Sequence, residues 1–450
     1  MRVEKDKIGE MYLEDSALYG IQSARARENF RLDYKKTNLH LIYAIVKIKW
    51  AAAKTYIKLN TDIEKYKVIL EACDTILAGK ADQEFVVDAL QGGAGTSTNM
   101  NVNEVIANIG LKRMGRNPGE YQYLHPLDDV NRGQSTNDVY PTALRIAAID
   151  LLRSLSDSCA NLQQSLQEKE NAFEHIKKLG RTELMDAIPI TLGMEFGSYA
   201  QAIARDRWRI YKVEERLRQV NLGGTAVGSA LHADRKYRFG IIEALREITD
   251  MGLAIAEYPM DITQNNDVFV EVSGLLKALA VNLMKISNDF RLMNSGPNGG
   301  FGEIKLAPMQ MGSTIMPGKV NPVIPEMVMQ TAMRVIANDS AITTAAFHGE
   351  FELNAFLPLI ADSLLESLSL LINSVNLFRT KCVELVEPNI ERCNELLNRS
   401  YGFATAYTKL LGYDRVSEII AEHKDNIQEM KKVLDQETDS FERGGNRETY

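Results

Sequence analysis

DVYPTALRIAAIDLLRSLSDSCANLQQSLQEKE, Asp138 to Glu170, decides the fold class of this 450-residue chain. Within it Leu144, Ala148, Leu151, Leu155, Cys159, Leu162 and Leu166 recur at steps of three and four. That period is the stripe of one long amphipathic helix, not the alternation of a strand. Downstream the pattern returns in Leu276, Leu279, Leu283, Ile286, Phe290 and Met293, and again over residues 325–345 and 359–380. Stripes this long seldom find both sides covered within a single chain. The spacing therefore predicts an all-α bundle whose surplus apolar faces pack against other copies of the chain. Upstream, residues 1–130 mix short helical patterns with turn residues; past residue 395 the pattern becomes short and charged. The final DSFERGGNRETY (Asp439–Tyr450) is expected to fray.

The length exceeds what one hydrophobic core usually serves, so two or three domains are expected. A formal net charge of −8 argues against a nucleic-acid partner, since nothing basic would neutralise many phosphates. It also sets a problem: a site for an anionic substrate must supply its own positive potential. Cys73, Cys159, Cys382 and Cys393 lie far apart with no C-x-x-C pair, the usage of reduced thiols in the cytoplasm, and Cys159 reads as plain core. The N-terminal MRVEKDKIGEMYLEDS lacks the apolar run of a signal peptide, and no stretch is expected to reach the length of a membrane span. The expected protein is soluble and cytoplasmic, without a membrane partner.

Four polar, glycine-bearing segments interrupt the helical chain: GGAGTSTNMN (Gly92–Asn101), GQSTND (Gly133–Asp138), GRTELMDA (Gly180–Ala187) and GSTIMPGKVNP (Gly312–Pro322). Such loops gather function, but they also cap helices, and Ser135-Thr136-Asn137-Asp138 would make a good N-cap. The fourth has glycines at both ends and prolines that limit its alternatives, the composition of a lid. A P-loop reading fails there, because Val320 stands where Ser or Thr is required and the glycines are wrongly spaced. Lys319 is thus suited to a carboxylate rather than to a nucleotide phosphate. The six histidines (His40, His125, His175, His232, His348, His423) show no metal-ligand spacing. GGTAVGS (Gly223–Ser229) follows a helical stretch and shares only its glycines with a dinucleotide loop.

Together these segments resemble the aspartase/fumarase lyases. GSTIMPGKVNPVIPE (Gly312–Glu326) is close to the family signature. YGIQSARARENF (Tyr19–Phe30), GGAGTSTNMNVNEVIAN, GQSTNDVYPTA, GGTAVGS, KISNDFRLMNSGP (Lys285–Pro297) and FELNAFLPLI (Phe351–Ile360) follow in the family's order, over residues 3–415. The resemblance implies an all-α fold of three domains, here 1–135, 136–390 and a shortened 391–450. It also implies a homotetramer with a core of twenty long helices, whose active sites each draw loops from three chains.

GAGTS and NPVIPE look like aspartases, whereas FELNAFLPLI leans toward fumarases. Glu183 separates the two: fumarases place a histidine there, paired with a glutamate matching Glu326. A carboxylate beside the leaving group suits a departing ammonium better than a departing hydroxide. The alternative is that Glu183 pairs with a neighbouring cation and is structural. The implied reaction is anti-elimination of ammonia from L-aspartate to give fumarate, through an aci-carboxylate intermediate. Carried over by position, Thr96, Ser135, Thr136 and Thr314 hold the β-carboxylate, and Lys319 and Asn321 hold the α-carboxylate. Asn137, Thr182 and Glu183 surround the amino group. Ser313 matches the family's base, which would need activation by loop N–H groups and Lys319. No cofactor is implied; divalent-cation activation, known in some relatives, has no visible ligand motif here. Two other enzymes stay open, a fumarate hydratase and a lyase for an N-substituted aspartate. A structural role, as in a related lens protein, would not require Ser313, Lys319 and Asn321 to be kept together. Departures fall at Thr314, where a second serine is usual, at His232 in LHAD, and at TKLLGY (Thr408–Tyr413).

Overall fold

The computed structural model describes residues 1–231 and 233–445, so His232 and 446–450 lie outside the described residues. The chain opens on the hairpin β1 (Arg2–Lys5) and β2 (Glu10–Leu13), then α1 (Ile21–Asn29), α2 (Leu39–Lys58), α3 (Ile63–Leu77) and α4 (Thr96–Arg113). Next come α5 (Thr136–Ala172), the hairpin β3 (Lys177–Thr182) and β4 (Met185–Thr191), and α6 (Leu192–Leu217). β5 (Gln219–Val220) and β6 (Ala254–Ile255) form a short parallel pair around α7 (Arg235–Thr249). α8 (Pro259–Gln264) leads into α9 (Asp267–Met293), followed by β7 (Ile304–Lys305), α10 (Val323–Phe347) and α11 (Leu357–Phe378). β8 (Glu387–Pro388) pairs antiparallel with β7, and α12 (Ile390–Asn398), α13 (Thr408–Leu411), α14 (Tyr413–Glu422) and α15 (Ile427–Gly445) complete the chain.

The expected stripes become helices, and their apolar positions are the core: Leu144, Ala148, Leu155, Cys159, Leu162 and Leu166 of α5 are all buried. So are Leu276, Leu279, Leu283, Ile286 and Phe290 of α9. α6 carries an equally regular stripe, Leu192, Phe196, Tyr199, Ile203, Ile210, Val213 and Leu217, that the sequence reading did not single out. Three expectations change. Leu357–Val383 is long and apolar enough to cross a membrane by length and composition, although Leu357, Ile360, Leu364, Leu368, Leu371, Val375 and Phe378 are buried within the protein. The tail expected to fray from Asp439 continues α15 as far as Gly445. The third is the hairpin β3–β4, where the sequence predicts only a polar segment, Gly180–Ala187, interrupting helices. Its register shifts between Leu179 and Arg181, so Lys178, Leu179 and Gly180 are buried in succession and no alternation shows in the sequence.

The chain divides into two compact units, with the divisions falling inside the long helices α5, α6, α9, α10 and α11. The first comprises 1–157, 206–281 and 331–373, and the second 158–205, 282–330 and 374–450. In the first, α2 packs against α3 and α7. A column of stacked rings, Tyr66, Tyr56 and Tyr237, joins the three helices with centroids 4.7 Å apart at each step. In the second, α12 lies along β3, and Ala404, Val416, Ile419, Met430 and Leu434 form a small core of their own.

Candidate active site

In the first unit, two helix N-termini are brought side by side. Thr96 is the first residue of α4, preceded by Gly95 at φ +91°. A Cβ on Gly95 would collide with the Tyr140 ring, so only glycine lets the start of α4 lie against α5. Ser135 caps α5: its Oγ accepts from the Asn137 N–H at 3.2 Å, while Asp138 Oδ1 accepts from the Ser135 N–H at 3.0 Å. This is a capping box with aspartate as the returning acid. The capping interpretation of STND is therefore correct, and it leaves the hydroxyls at the mouth of a helix N-terminus, where an anion is favoured.

Most of the neighbouring polar groups are tied down, although the buried Asn99 and Asn103 Oδ1 atoms find no partner among the described residues. Asp138 Oδ2 accepts from the N–H groups of Gly223 at 3.0 Å and Thr225 at 2.9 Å, which fixes the 223–226 loop. Burial pushes the Asp138 carboxyl up to about 7, against the pull of those backbone donors. Pro141 has no N–H to give the Asn137 carbonyl, and Asn221 Nδ2 replaces it at 3.0 Å. Asn137 Nδ2 in turn donates to the Ala226 carbonyl at 2.8 Å, and Thr136 Oγ1 accepts from Asn99 Nδ2 at 3.1 Å. Beneath the turn, Lys49 Nζ donates to Asn131 Oδ1 at 2.8 Å and Gln134 Oε1 at 3.0 Å. Burial pulls Lys49 down to about 7, with Asp138 opposing. Tyr56 donates to the Arg132 carbonyl at 3.0 Å, so the ring column supports the same turn. Thr96, Ser135, Thr136 and Asn137 thus lie together at the starts of α4 and α5 in one hydrogen-bonded cluster.

The second unit holds the remaining residues on two segments. Thr182 and Glu183 lie at the tip of β3–β4, both exposed, where Thr182 pairs with Met185 across a two-residue turn. Both turn residues, Glu183 and Leu184, have positive φ (55° and 64°), a left-handed conformation that neither side chain favours. Such strain persists only where the surroundings enforce it. Among the described residues no cation lies within ion-pair distance of Glu183, so the structural alternative for it finds no partner.

Ser313, Thr314, Lys319 and Asn321 lie on the loop between β7 and α10. Ser313 Oγ accepts from the N–H groups of Ile315 at 3.2 Å and Met316 at 3.0 Å. Two such donors favour the ionised hydroxyl, the form a serine base needs. Asn321 Nδ2 donates to the Gly312 carbonyl at 2.8 Å, and Gly312 lies so close to the Lys319 carbonyl that any Cβ would clash. The loop is pinched at this neck and exposed beyond it: Thr314, Met316 and Lys319 face solvent, and Ile315 is 83% accessible. Glu326, in the first turn of α10, stands 3.9 Å from Arg291 Nε. No hydrogen bond or ion pair among the described residues joins the loop to the hairpin tip within this unit.

Two sets of residues escaped the sequence reading. Asp138 shows in the sequence only as part of a helix cap, and Lys49 resembles any helical lysine until α2 buries it. Glu303, wholly buried, accepts from Arg181 Nη1 at 2.9 and 3.0 Å and lies 2.9 Å from Lys178 Nζ, which also contacts Glu195 at 2.7 Å. No group of His, Cys, Asp and Glu among the described residues is arranged to hold a metal ion.

A model of the lyase family matches residues 9–337. The chain is 43% identical over 425 residues to the aspartate ammonia-lyase of Helicobacter pylori, covering 94% of this chain and 91% of the other. It is 44% identical over 447 residues to that of Pseudomonas aeruginosa, with 97% and 94% covered. Among solved structures, a fumarate lyase:delta crystallin from Brucella melitensis bound to cobalt superposes with a TM-score of 0.92 at 41% identity, covering 98% and 99%. The class II fumarase of Schistosoma mansoni superposes equally well, TM-score 0.92, at 31% identity, covering 96% and 95%.

Proposed function

The chain belongs to the aspartase/fumarase lyase family, and on that premise we propose that it is an aspartate ammonia-lyase, converting L-aspartate reversibly to fumarate and ammonia. The observation that carries the choice within the family is Glu183, a carboxylate with no ion-pair partner among the described residues, where a hydratase needs imidazole. It stands ready for an ammonium.

Removing a proton next to the β-carboxylate pushes charge into that carboxylate, so catalysis must act on the aci-form dianion. Thr96, Ser135 and Thr136 at the paired N-termini of α4 and α5, joined by Thr314, hold it with donors aimed in advance. Ser313 takes the proton, its alkoxide supported by the Ile315 and Met316 N–H groups and by Lys319. Lys319 and Asn321 bind the α-carboxylate, while Asn137, Thr182 and Glu183 receive the leaving amine. Glu326 supports the loop from behind. These roles use side chains and backbone alone, with no cofactor.

The active unit is a homotetramer with sites shared between chains. Trp208 and Tyr211 on α6, Val281 on α9 and Met333 on α10 expose 52–68% of their surface along helices whose other faces are core. Leu184 and Met185, beside Glu183 at the hairpin tip, are 64% and 69% exposed and suit insertion into another copy. Light scattering that reads four chains in solution checks the assembly; a stable monomer with full turnover would remove it.

The reaction is tested by supplying fumarate with ammonia, fumarate alone and fumarate with a panel of primary amines. Loss of fumarate absorbance with ammonia, with L-aspartate as product, is expected. Reaction only with a substituted amine would replace the substrate.

A further inference from the structure

Glu183 owes its usefulness to an uncancelled charge, and a guanidinium lies two residues away. Arg181, on β3, and Glu183, in the turn that follows it, line the same cavity of about 450 Å³. Arg181 is nonetheless turned away. Both of its contacts with Glu303, at 2.9 and 3.0 Å, run from one guanidinium nitrogen to the two oxygens of the same carboxylate. The guanidinium also rests on the Phe301 ring, 4.3 Å from its centroid.

Glu303 is itself held through its backbone on both sides. Its N–H donates to the Met293 carbonyl at 2.8 Å, and its own carbonyl accepts from the Asn389 N–H at 2.8 Å. It is also the residue before β7, so backbone and side chain are fixed together. Lys178, buried like Glu303, shares the carboxylate and is held from the other side by Glu195. The four charges balance: two cations, two carboxylates. Without the charge of Glu303, Lys178 keeps Glu195, and Arg181 is left as the unpaired cation facing the cavity that Glu183 lines.

We propose that Glu303 is a positioning residue for amine recognition: by holding Arg181 against Phe301 it keeps the Glu183 carboxylate unneutralised for the substrate's ammonium. Glu303 touches no substrate; it acts through Arg181. This rests on the aspartate ammonia-lyase reading.

The test is the reverse reaction, in which the two substrates have separate Michaelis constants. Glu303→Gln keeps the shape and removes the charge. It is expected to raise KM for ammonium at least ~10-fold, about 1.4 kcal/mol, while KM for fumarate stays within ~3-fold. Adding Arg181→Gln to that variant removes the errant cation and should recover most of the ammonium KM. Should Glu303→Gln fail to fold, Phe301→Leu withdraws only the ring and should raise the ammonium KM ~2- to 5-fold. Equal rises in both constants, an unchanged ammonium KM, or no recovery in the double variant would overturn the proposal. Wild-type protein that adds no ammonia to fumarate would instead remove the functional reading beneath it.

Discussion

Turn 133–138 and loop 312–321 carry the same vocabulary of glycine, hydroxyl and amide side chains, yet the protein treats them differently. The turn is built into the fold. Its cap closes on itself, its Asn137 carbonyl and its one acid are satisfied by the 221–226 segment and its Thr136 hydroxyl by α4, and Asp138 has no exposed surface. The loop is fastened at its neck by Asn321 and Gly312, and beyond that its hydroxyl bonds only its own backbone. A carboxylate cage gains from being rigid before substrate arrives, because reorganisation would consume binding energy. A base that must be delivered to its substrate and then withdrawn gains from a hinge. In the proposed mechanism the two segments divide those tasks.

Three substitutions probe that division. Ser313→Ala should lower kcat by at least ~10²-fold, the usual scale for a positioned base, and leave the melting temperature unchanged, since the hydroxyl bonds nothing outside its loop. Near-normal turnover would take Ser313 out of the mechanism. Asp138→Asn should act in the opposite proportion. It turns an amide toward the Gly223 and Thr225 N–H donors, costs about 1–3 kcal/mol of stability, and lowers kcat/KM by a smaller ~10-fold. Loss of activity without loss of stability would mean the turn is less rigid than its bonding implies. Thr314→Ser removes one exposed methyl, and steady-state kinetics should shift less than ~3-fold with no change in melting temperature. A larger shift would place that methyl in the closed pocket.

What the sequence disclosed follows the same contrast. The long helices were readable because Leu144 to Leu166 and Leu276 to Met293 repeat at helical spacing, and burial follows directly from that period. The site segments were readable because small polar residues between glycines interrupt those stripes. The hairpin was not, because the register shift at Gly180 and the proline at 189 erase the alternation that marks a strand. Nor were Lys49 and Glu303. Charged residues are normally solvated, and only the tertiary partners of these two make burial tolerable. Leu357–Val383 shows the converse limit: an apolar helix of that length says that it must be covered, not by what.

The choice of ammonia over water falls to Glu183. One charge contact with an ammonium at ~4 Å is worth up to ~4 kcal/mol at an effective dielectric of about 20, before desolvation is subtracted. Even about 1 kcal/mol surviving would favour the amine roughly fivefold, while L-malate offers only a neutral hydroxyl on a dianionic skeleton. The direct measurement is the ratio of kcat/KM for L-aspartate and L-malate with the wild-type protein, followed by fumarate absorbance. Ready deamination with negligible malate dehydration is predicted. Malate dehydration equal to or faster than aspartate deamination would contradict the account and make this chain a fumarate hydratase.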